Sequence, residues 1–194
     1  MNENYDDYDR WLKNRKTLTE ERNHPNHWFN RASDLRASAG ALWVAMEGNN
    51  DLFVEKLGLH NSFSMGVACW PVYHMLCGLS LELIFKAVIV QLGGDVPKTH
   101  DLNQLAGKAS FQCSVAEKQL LKFYKASVEW SGRYPIPNRC NDDGLLDHWR
   151  LASDVLTKPD KRFKDIEMRT GSGATDWENY HALWSRIAEQ FRFD

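Results

Sequence analysis

Residues 71–105 read PVYHMLCGLSLELIFKAVIVQLGGDVPKTHDLNQL, and this stretch decides the fold. It contains the longest apolar run in the chain, yet Glu82 and Lys86 lie inside it, four residues apart. Apolar residues recur at spacings of three, four and seven, which is typical of a helix with a wide apolar face. Pro71 fits a first helical turn, and the double glycine that follows favours a helix end. The pattern predicts a long central helix over about residues 71–92.

The same run is long enough to span a membrane, but its interior carries a carboxylate and an ammonium. A charge at bilayer depth costs roughly 2.5–3.5 kcal/mol on insertion scales, so we expect a buried helix of a soluble domain and no membrane partner. The chain begins MNENYDDYDRW, which is acidic and polar and lacks the apolar core of a signal peptide. The sequence therefore predicts a cytoplasmic protein.

Length and composition are those of one globular unit. A chain of 194 residues with 43% hydrophobic and 26% charged residues can bury one sizeable core and is not typical of disorder. The net charge of -2 excludes a global basic field for nucleic acid, although a local basic patch could still bind it. We predict a polar N-terminal extension over residues 1–25 and a single helical domain over residues 26–194.

The four cysteines form no CxxC pair and have no spacing typical of metal ligands. Buried free thiols in a reducing compartment are expected rather than disulfides. We predict neither a metal site nor a cofactor. The cysteines are Cys69, Cys77, Cys113 and Cys140.

The rest of the chain is also helical in pattern. An apolar stripe predicts a large helix from Asn26 to about Glu47, and small residues along it would let a neighbouring helix approach closely. No alternating strand runs joined by tight turns occur, so the fold class is predicted to be all-α. The further expected elements are a short helix and a loop over 51–70, a short helix after a Thr99 or Asp101 cap, helices after capping boxes at Ser114–Glu117 and Thr175–Glu178, a helix over 145–157, and an exposed loop over 158–174.

The central stretch resembles the HEPN domains, the helical "higher eukaryote and prokaryote nucleotide-binding" domains. The residues that carry the resemblance are GLSLELIFKAVIVQLGG and KTHDLNQL, followed by a helix and GRYP. The resemblance covers roughly residues 71–137. It implies an antiparallel helical bundle that is commonly a homodimer. It also implies a role in RNA cleavage, in toxin–antitoxin or phage-defence systems, or in binding RNA or nucleotides.

Catalytic members of the family carry an arginine, a polar neighbour and a histidine after four to six intervening residues. The resemblance implies metal-independent cleavage, in which histidine moves a proton at the ribose 2′-hydroxyl and arginine stabilises the phosphate. In the C-terminal half of this chain no arginine and histidine have that spacing. The run from Arg22 to His27 has the spacing of this motif, but Pro25 is expected to break the helical geometry that would present both side chains together.

The ionisable residues Glu82, His74 and His100 of the central stretch are candidates for a structural or a functional role. Glu82 either pairs with Lys86 or a nearby arginine as a structural ion pair, or forms with Lys86 the polar floor of a cleft that contacts a base or phosphate. His74 is expected to be a hydrogen-bonded core or interface residue. His100 and Thr99 either cap the next helix, or His100 and Lys98 dock a phosphate at its N-terminus.

The stretch from Arg133 to Asn138 contains two prolines and cannot be helical. Arg133 and Tyr134 offer a guanidinium for phosphate and a ring for base stacking, or else the segment is a tether whose apolar side chains pack on the bundle. The candidate nucleotide- or RNA-binding residues are therefore Glu82, Lys86, Lys98, His100, Arg133 and Tyr134, and the candidate catalytic residues are His100, Arg133 and Arg139.

These patterns favour a HEPN-like module that binds RNA, a nucleotide or a protein partner in a prokaryotic defence, toxin–antitoxin or regulatory system. One alternative is a metal-independent endoribonuclease in which His100 and Arg133 or Arg139 form a rearranged pair. Another is a purely structural dimerisation domain. The resemblance implies a homodimer, with RNA, a nucleotide or a nucleotidyltransferase-type antitoxin as partners.

Overall fold

The long apolar stretch forms one continuous helix, α5 (Met65–Gln91), in a computed structural model that describes residues 3–137, 141–160 and 168–193. The described ranges contain eight more α-helices and one two-stranded antiparallel hairpin. The other elements are α1 (Glu3–Asn14), α2 (Leu18–Arg22), α3 (Pro25–Glu47), α4 (Asn50–Leu57), α6 (Leu102–Lys108), α7 (Val115–Ala126) with a π-helical turn at Ser127–Ser131, α8 (Asp142–Leu156), β1 (Thr157–Pro159), β2 (Arg169–Gly171) and α9 (Trp177–Ala188).

The predicted fold class is confirmed, because α5 is a central helix against which the other helices pack. Helix α3 runs antiparallel to it. Ser80 Oγ donates to the Ala32 carbonyl at 2.7 Å near one end, while Ala45 packs against Met65 near the other. Trp184 Nε1 of α9 donates to the same Ser80 hydroxyl at 2.9 Å, so one buried hydroxyl joins three helices.

Helix α5 begins six residues before the predicted start at Pro71. Ser64 is its N-cap and accepts from Val67 N, while Asn50 Oδ1 accepts from Met65 N at 2.9 Å. Met65 and Cys69 then pack on Ala45, and this burial outweighs the preference of proline for a first turn. By length and composition α5 could cross a membrane, but 72% of its most apolar window is buried in the bundle, as in the core helix of a soluble protein.

Close approach to α5 requires a residue without a side chain at one position. A Cβ atom at Gly78 would lie 2.7 Å from Val128 Cγ2 and 2.8 Å from the Tyr124 carbonyl oxygen. Helix α7 and its π-helical turn can therefore approach the α5 backbone directly. This approach fixes α7 beside the charged face of α5.

Local signals predicted most helix ends correctly, and two details differ. The Ser114–Glu117 capping box is present, and Asp101 caps α6. The second predicted capping box is wrong, because α9 starts after Asp176 without a side-chain cap bond, and the Thr175 carbonyl accepts instead from Tyr73 OH. The expected loop after α8 contains the β1–β2 hairpin.

The described cysteines Cys69, Cys77 and Cys113 are free, which confirms the predicted thiols at these positions; Cys140 lies outside the described residues. The predicted polar N-terminal extension over residues 1–25 contains the two helices α1 and α2.

Candidate functional site

A buried carboxylate on α5 is bonded to two basic side chains. Lys86 Nζ lies 2.7 Å from Glu82 Oε1, and His100 Nδ1 lies 2.8 Å from Glu82 Oε2. Lys86 lies one helical turn further along α5. His100 lies on the loop that precedes α6 and contacts α5 from there. Glu82 is 3% exposed and Lys86 is 7% exposed, so both charges are almost fully removed from water.

His100 differs from its two partners because its side chain is 57% exposed. A carboxylate bonded to one ring nitrogen favours the tautomer in which that nitrogen carries the proton and donates it to the carboxylate. The other ring nitrogen is then the one that can accept a proton from a bound molecule. The structure thus brings Glu82, Lys86 and His100 together, and neither His100 nor Thr99 caps α6 with its side chain.

The N-terminus of α6, which was a candidate phosphate-binding position, is capped by the side chain of Asp101. Asp101 Oδ1 accepts from Gln104 N at 3.0 Å, and Asp101 Oδ2 accepts from Lys125 Nζ at 3.1 Å. Partial burial acts to raise the pKa of Asp101, but these hydrogen bonds outweigh it and hold that pKa below its usual value. Lys98 is exposed and forms no ion pair with any described residue.

Arg133 and Tyr134 are both exposed at the end of the α7 extension, and Ile136 beyond them is exposed too. The alternative in which Tyr134 and Ile136 pack on the bundle is therefore wrong. Arg133 Nη2 donates to the Glu129 carbonyl, and its guanidinium lies 5.3 Å from the centre of the Tyr134 ring. Neither residue forms a hydrogen bond or ion pair with the Glu82 cluster, and Arg139 lies outside the described residues.

A groove of about 980 Å³ lies between α6, α7 and α8, and its lining begins at Asp101. Its α7 wall carries three lysines at spacings of four and three, which place them on one helix face. Lys125 is paired with Asp101 and, at 3.9 Å, with Glu129, whereas Lys118 and Lys122 form no ion pair with a described residue. Sequence reasoning missed this groove, although the spacing of Lys118, Lys122 and Lys125 was a signal that could have found its basic wall.

The far end of the groove is aromatic. The Trp130 and His148 rings meet edge to face with centroids 4.6 Å apart. Burial lowers the pKa of His148, so its ring favours the neutral form there. The groove therefore offers cations along one wall, and its aromatic end is also lined by the carboxylates of Glu129 and Asp147.

A second, smaller cavity of about 480 Å³ is lined by both Arg22 and His27. Pro25 is the first residue of α3, and His24 caps that helix by accepting from Asn26 N. The sequence predicted that Pro25 would prevent the side chains of Arg22 and His27 from being presented together. The structure shows instead that both residues line one cavity. Arg31 and Asp34 line the same cavity.

His74 is buried in an aromatic cage rather than in a polar site. Its ring lies edge to face with Trp70 at 4.4 Å and with Phe123 at 5.0 Å between centroids. Its Nε2 atom has no hydrogen-bond partner among the described residues, which contradicts the expected hydrogen bond at that atom. Burial lowers the pKa of His74 to about 3.

The fold and this arrangement define an all-α domain in which a buried glutamate–lysine pair on the central helix holds a surface histidine. Residues 63–139 match the family model of the HEPN domain, which confirms the resemblance over this segment of the chain. The match spans α5, the histidine loop, α6 and α7. No curated protein and no solved structure is detectably similar to the chain.

Proposed function

We propose that this protein is an RNA-binding module of the HEPN type, with the groove between α6, α7 and α8 as its binding surface. The observation that carries this proposal is the basic α7 wall, because Lys118 and Lys122 line the groove and form no ion pair with any residue that the structure describes. Lysines without partners attract phosphates at low desolvation cost. The chain has a net charge of -2, so these cations form a local feature and not part of a general basic surface.

Size and chemistry favour a single RNA strand over a free nucleotide. The groove volume of about 980 Å³ reaches the upper end of small-molecule pockets, so it leaves room for more than one nucleotide. Trp130 at one end and exposed Tyr134 beyond it supply rings on which unpaired bases can stack. His100 and Lys98 lie outside the lining, in the loop just before Asp101, and would add polar contacts only to RNA that extends beyond the groove.

We expect the double variant Lys118→Ala/Lys122→Ala to weaken binding of a fluorescein-labelled single-stranded oligoribonucleotide. Removing two phosphate contacts should reduce the slope of log affinity against log salt by about 1.4 for a single strand. Fluorescence anisotropy at several salt concentrations measures both quantities. The matched control is Lys56→Ala/Lys158→Ala, which removes the same charge at exposed positions outside the groove.

Equal loss of affinity in both double variants would reject the groove as the RNA site. Absence of any RNA binding by the unaltered protein would reject the proposed function and leave a module that binds a nucleotide or a protein partner, or a structural dimerisation domain. In the proposed biological role the module acts in a prokaryotic defence, toxin–antitoxin or regulatory system, where a nucleotidyltransferase-type protein is the expected partner.

A second candidate function, metal-independent RNA cleavage, is favoured by the Glu82–His100 contact. The exposed ring nitrogen of His100 would take the proton of a ribose 2′-hydroxyl as that oxygen attacks the adjacent phosphorus. The P–O5′ bond then breaks, and O5′ takes a proton from water, leaving a 2′,3′-cyclic phosphate and a 5′-hydroxyl; the protonated His100 ring returns its proton to the solvent. A nearby cation would stabilise the negative charge on the phosphorus oxygens.

Incubation of the protein with labelled RNA in EDTA tests this candidate. We expect cleavage products with cyclic phosphate ends that disappear in His100→Ala. The comparison variant is His27→Ala, because Arg22 and His27 line the second cavity. Cleavage that is lost in His27→Ala and kept in His100→Ala would assign the reaction to that cavity instead.

A further inference from the structure

The groove between α6, α7 and α8 is lined by three carboxylates, those of Asp101, Glu129 and Asp147. Asp101 is bonded on both oxygens, to a backbone amide of α6 and to Lys125. Asp147 is bonded to Arg150 at 3.0 Å. Glu129 lies 3.9 Å from Lys125, which is longer than a hydrogen bond, and its side chain is 43% exposed. It is therefore the carboxylate of this lining that remains available to a ligand.

A carboxylate at this position opposes RNA binding unless the RNA offers it a hydrogen-bond donor. The lysine wall attracts phosphates, whereas the negative charge of Glu129 repels them. Covering the carboxylate without a donor would also cost its hydration. An ionised carboxylate only accepts hydrogen bonds, so it requires an N–H or O–H group of the RNA. In an RNA-bound groove Glu129 therefore faces a base edge or a ribose hydroxyl.

The neighbouring side chains favour a base at this end of the groove over a phosphate. Trp130, the next residue of the chain, is partly exposed and lines the same end, where its ring can stack on a base. The His148 ring contacts Trp130 edge to face at 4.6 Å and helps to hold the indole in place. Burial lowers the pKa of His148, so this ring adds no stable positive charge for a phosphate. Lys122 lies about 10 Å back along the helix axis, which leaves room for a ribose between a phosphate there and a base at Trp130.

Guanine is the base whose edge matches a carboxylate. Its N1–H and 2-amino groups lie side by side, so each carboxylate oxygen accepts one hydrogen bond. Adenine and cytosine place their amino group next to a ring nitrogen with a lone pair, and uracil places one N–H between two carbonyl oxygens. With these other bases the second carboxylate oxygen meets a lone pair instead of a donor.

We propose that Glu129 and Trp130 form a guanine site at the aromatic end of the groove. Trp130 stacks on the base, and the Glu129 carboxylate accepts hydrogen bonds from N1–H and from the 2-amino group. This site rests on the proposed RNA binding and adds a base preference to it. Phosphates of the same strand contact Lys118 and Lys122, and these contacts carry no sequence information.

Fluorescence anisotropy with three short labelled oligonucleotides tests the base preference. Each is an oligouridylate with one central replacement, which is guanine, adenine or hypoxanthine. We expect the guanine oligonucleotide to bind about 10-fold more tightly than the adenine one, which is the discrimination of one bidentate pair. Hypoxanthine keeps N1–H and lacks the 2-amino group, so its affinity should lie between those of the other two.

The variant Glu129→Gln assigns the preference to one side chain. Its amide offers guanine one acceptor and a donor that opposes the second N–H, so the guanine preference should fall to about twofold or less. Affinity for the adenine oligonucleotide should not fall, because a negative charge has been removed from the groove. The matched control is Glu55→Gln, which makes the same replacement at an exposed position outside the groove and should keep the preference. Circular dichroism verifies that each variant is folded.

Three results would overturn the guanine site. Equal affinity for the guanine and adenine oligonucleotides would do so and leave the RNA-binding proposal in place, as for a carboxylate that binds a ribose hydroxyl. A guanine preference that survives in Glu129→Gln would also do so, and its loss in Asp147→Asn instead would move the base to the α8 side of the groove. If the protein binds no oligonucleotide of any sequence, the proposed function itself fails and the guanine site fails with it. The two failures are therefore distinguishable.

Discussion

Replacing Glu82 with alanine is expected to destabilise the folded protein by about 3–5 kcal/mol, the usual cost of removing one partner from a buried ion pair. The loss arises because the Lys86 ammonium would be left buried without a counter-charge, its side chain being only 9% exposed. The lost hydrogen bond from His100 adds to this cost. Urea unfolding followed by circular dichroism measures the change in the free energy of unfolding.

Two further variants separate the charge effect from other causes. The double variant Glu82→Gln/Lys86→Met removes both buried charges and should recover most of the lost stability, because neutral side chains of similar volume require no buried counter-charge. Asp147→Ala breaks the exposed pair with Arg150 and should change stability little. If Glu82→Ala behaves like Asp147→Ala, the buried pair is not a stabilising element of the core.

The protein is expected to lose about 2.5 kcal/mol of stability between pH 7.5 and pH 4.5 because of His74 alone. Burial in its aromatic cage lowers the pKa of His74 to about 3 in the folded state, while the unfolded chain has the ordinary value near 6.5. Above pH 6.5 both states are neutral, and the full stability is present. As the pH falls from 6.5 towards 3, only the unfolded state gains the proton, so stability is lost.

The variant His74→Phe isolates this contribution, because phenylalanine fills an aromatic cage and does not titrate. Urea unfolding of both proteins across this pH range gives the difference in pH dependence directly. We expect the two curves to diverge below pH 6.5, with the variant losing less stability on acidification. Parallel curves would mean that water or a polar group solvates the protonated ring in the folded state.

Most of the helices could be predicted from the sequence because their signals act within a few residues. The Ser114–Glu117 box, the Asp101 cap and the apolar stripes gave the positions of α3, α6, α7 and α9 to within a few residues. The same local reasoning failed at the start of α5. There a preference of Pro71 was overridden by packing of Met65 and Cys69 on a helix about 20 residues away in the chain.

The sequence by itself determined the all-α class and the buried central helix, and it placed Glu82 one helical turn from Lys86, since these depend on helical spacing and hydrophobic burial alone. Only the tertiary structure decided that His100 contacts Glu82 across 18 residues, that the α7 lysines border a groove, and that Tyr8 and Trp11 of α1 are exposed. These features depend on the angles at which the helices pack against one another and on the paths of the loops that connect them. Such geometry is fixed by contacts between residues far apart in the chain and has no local pattern.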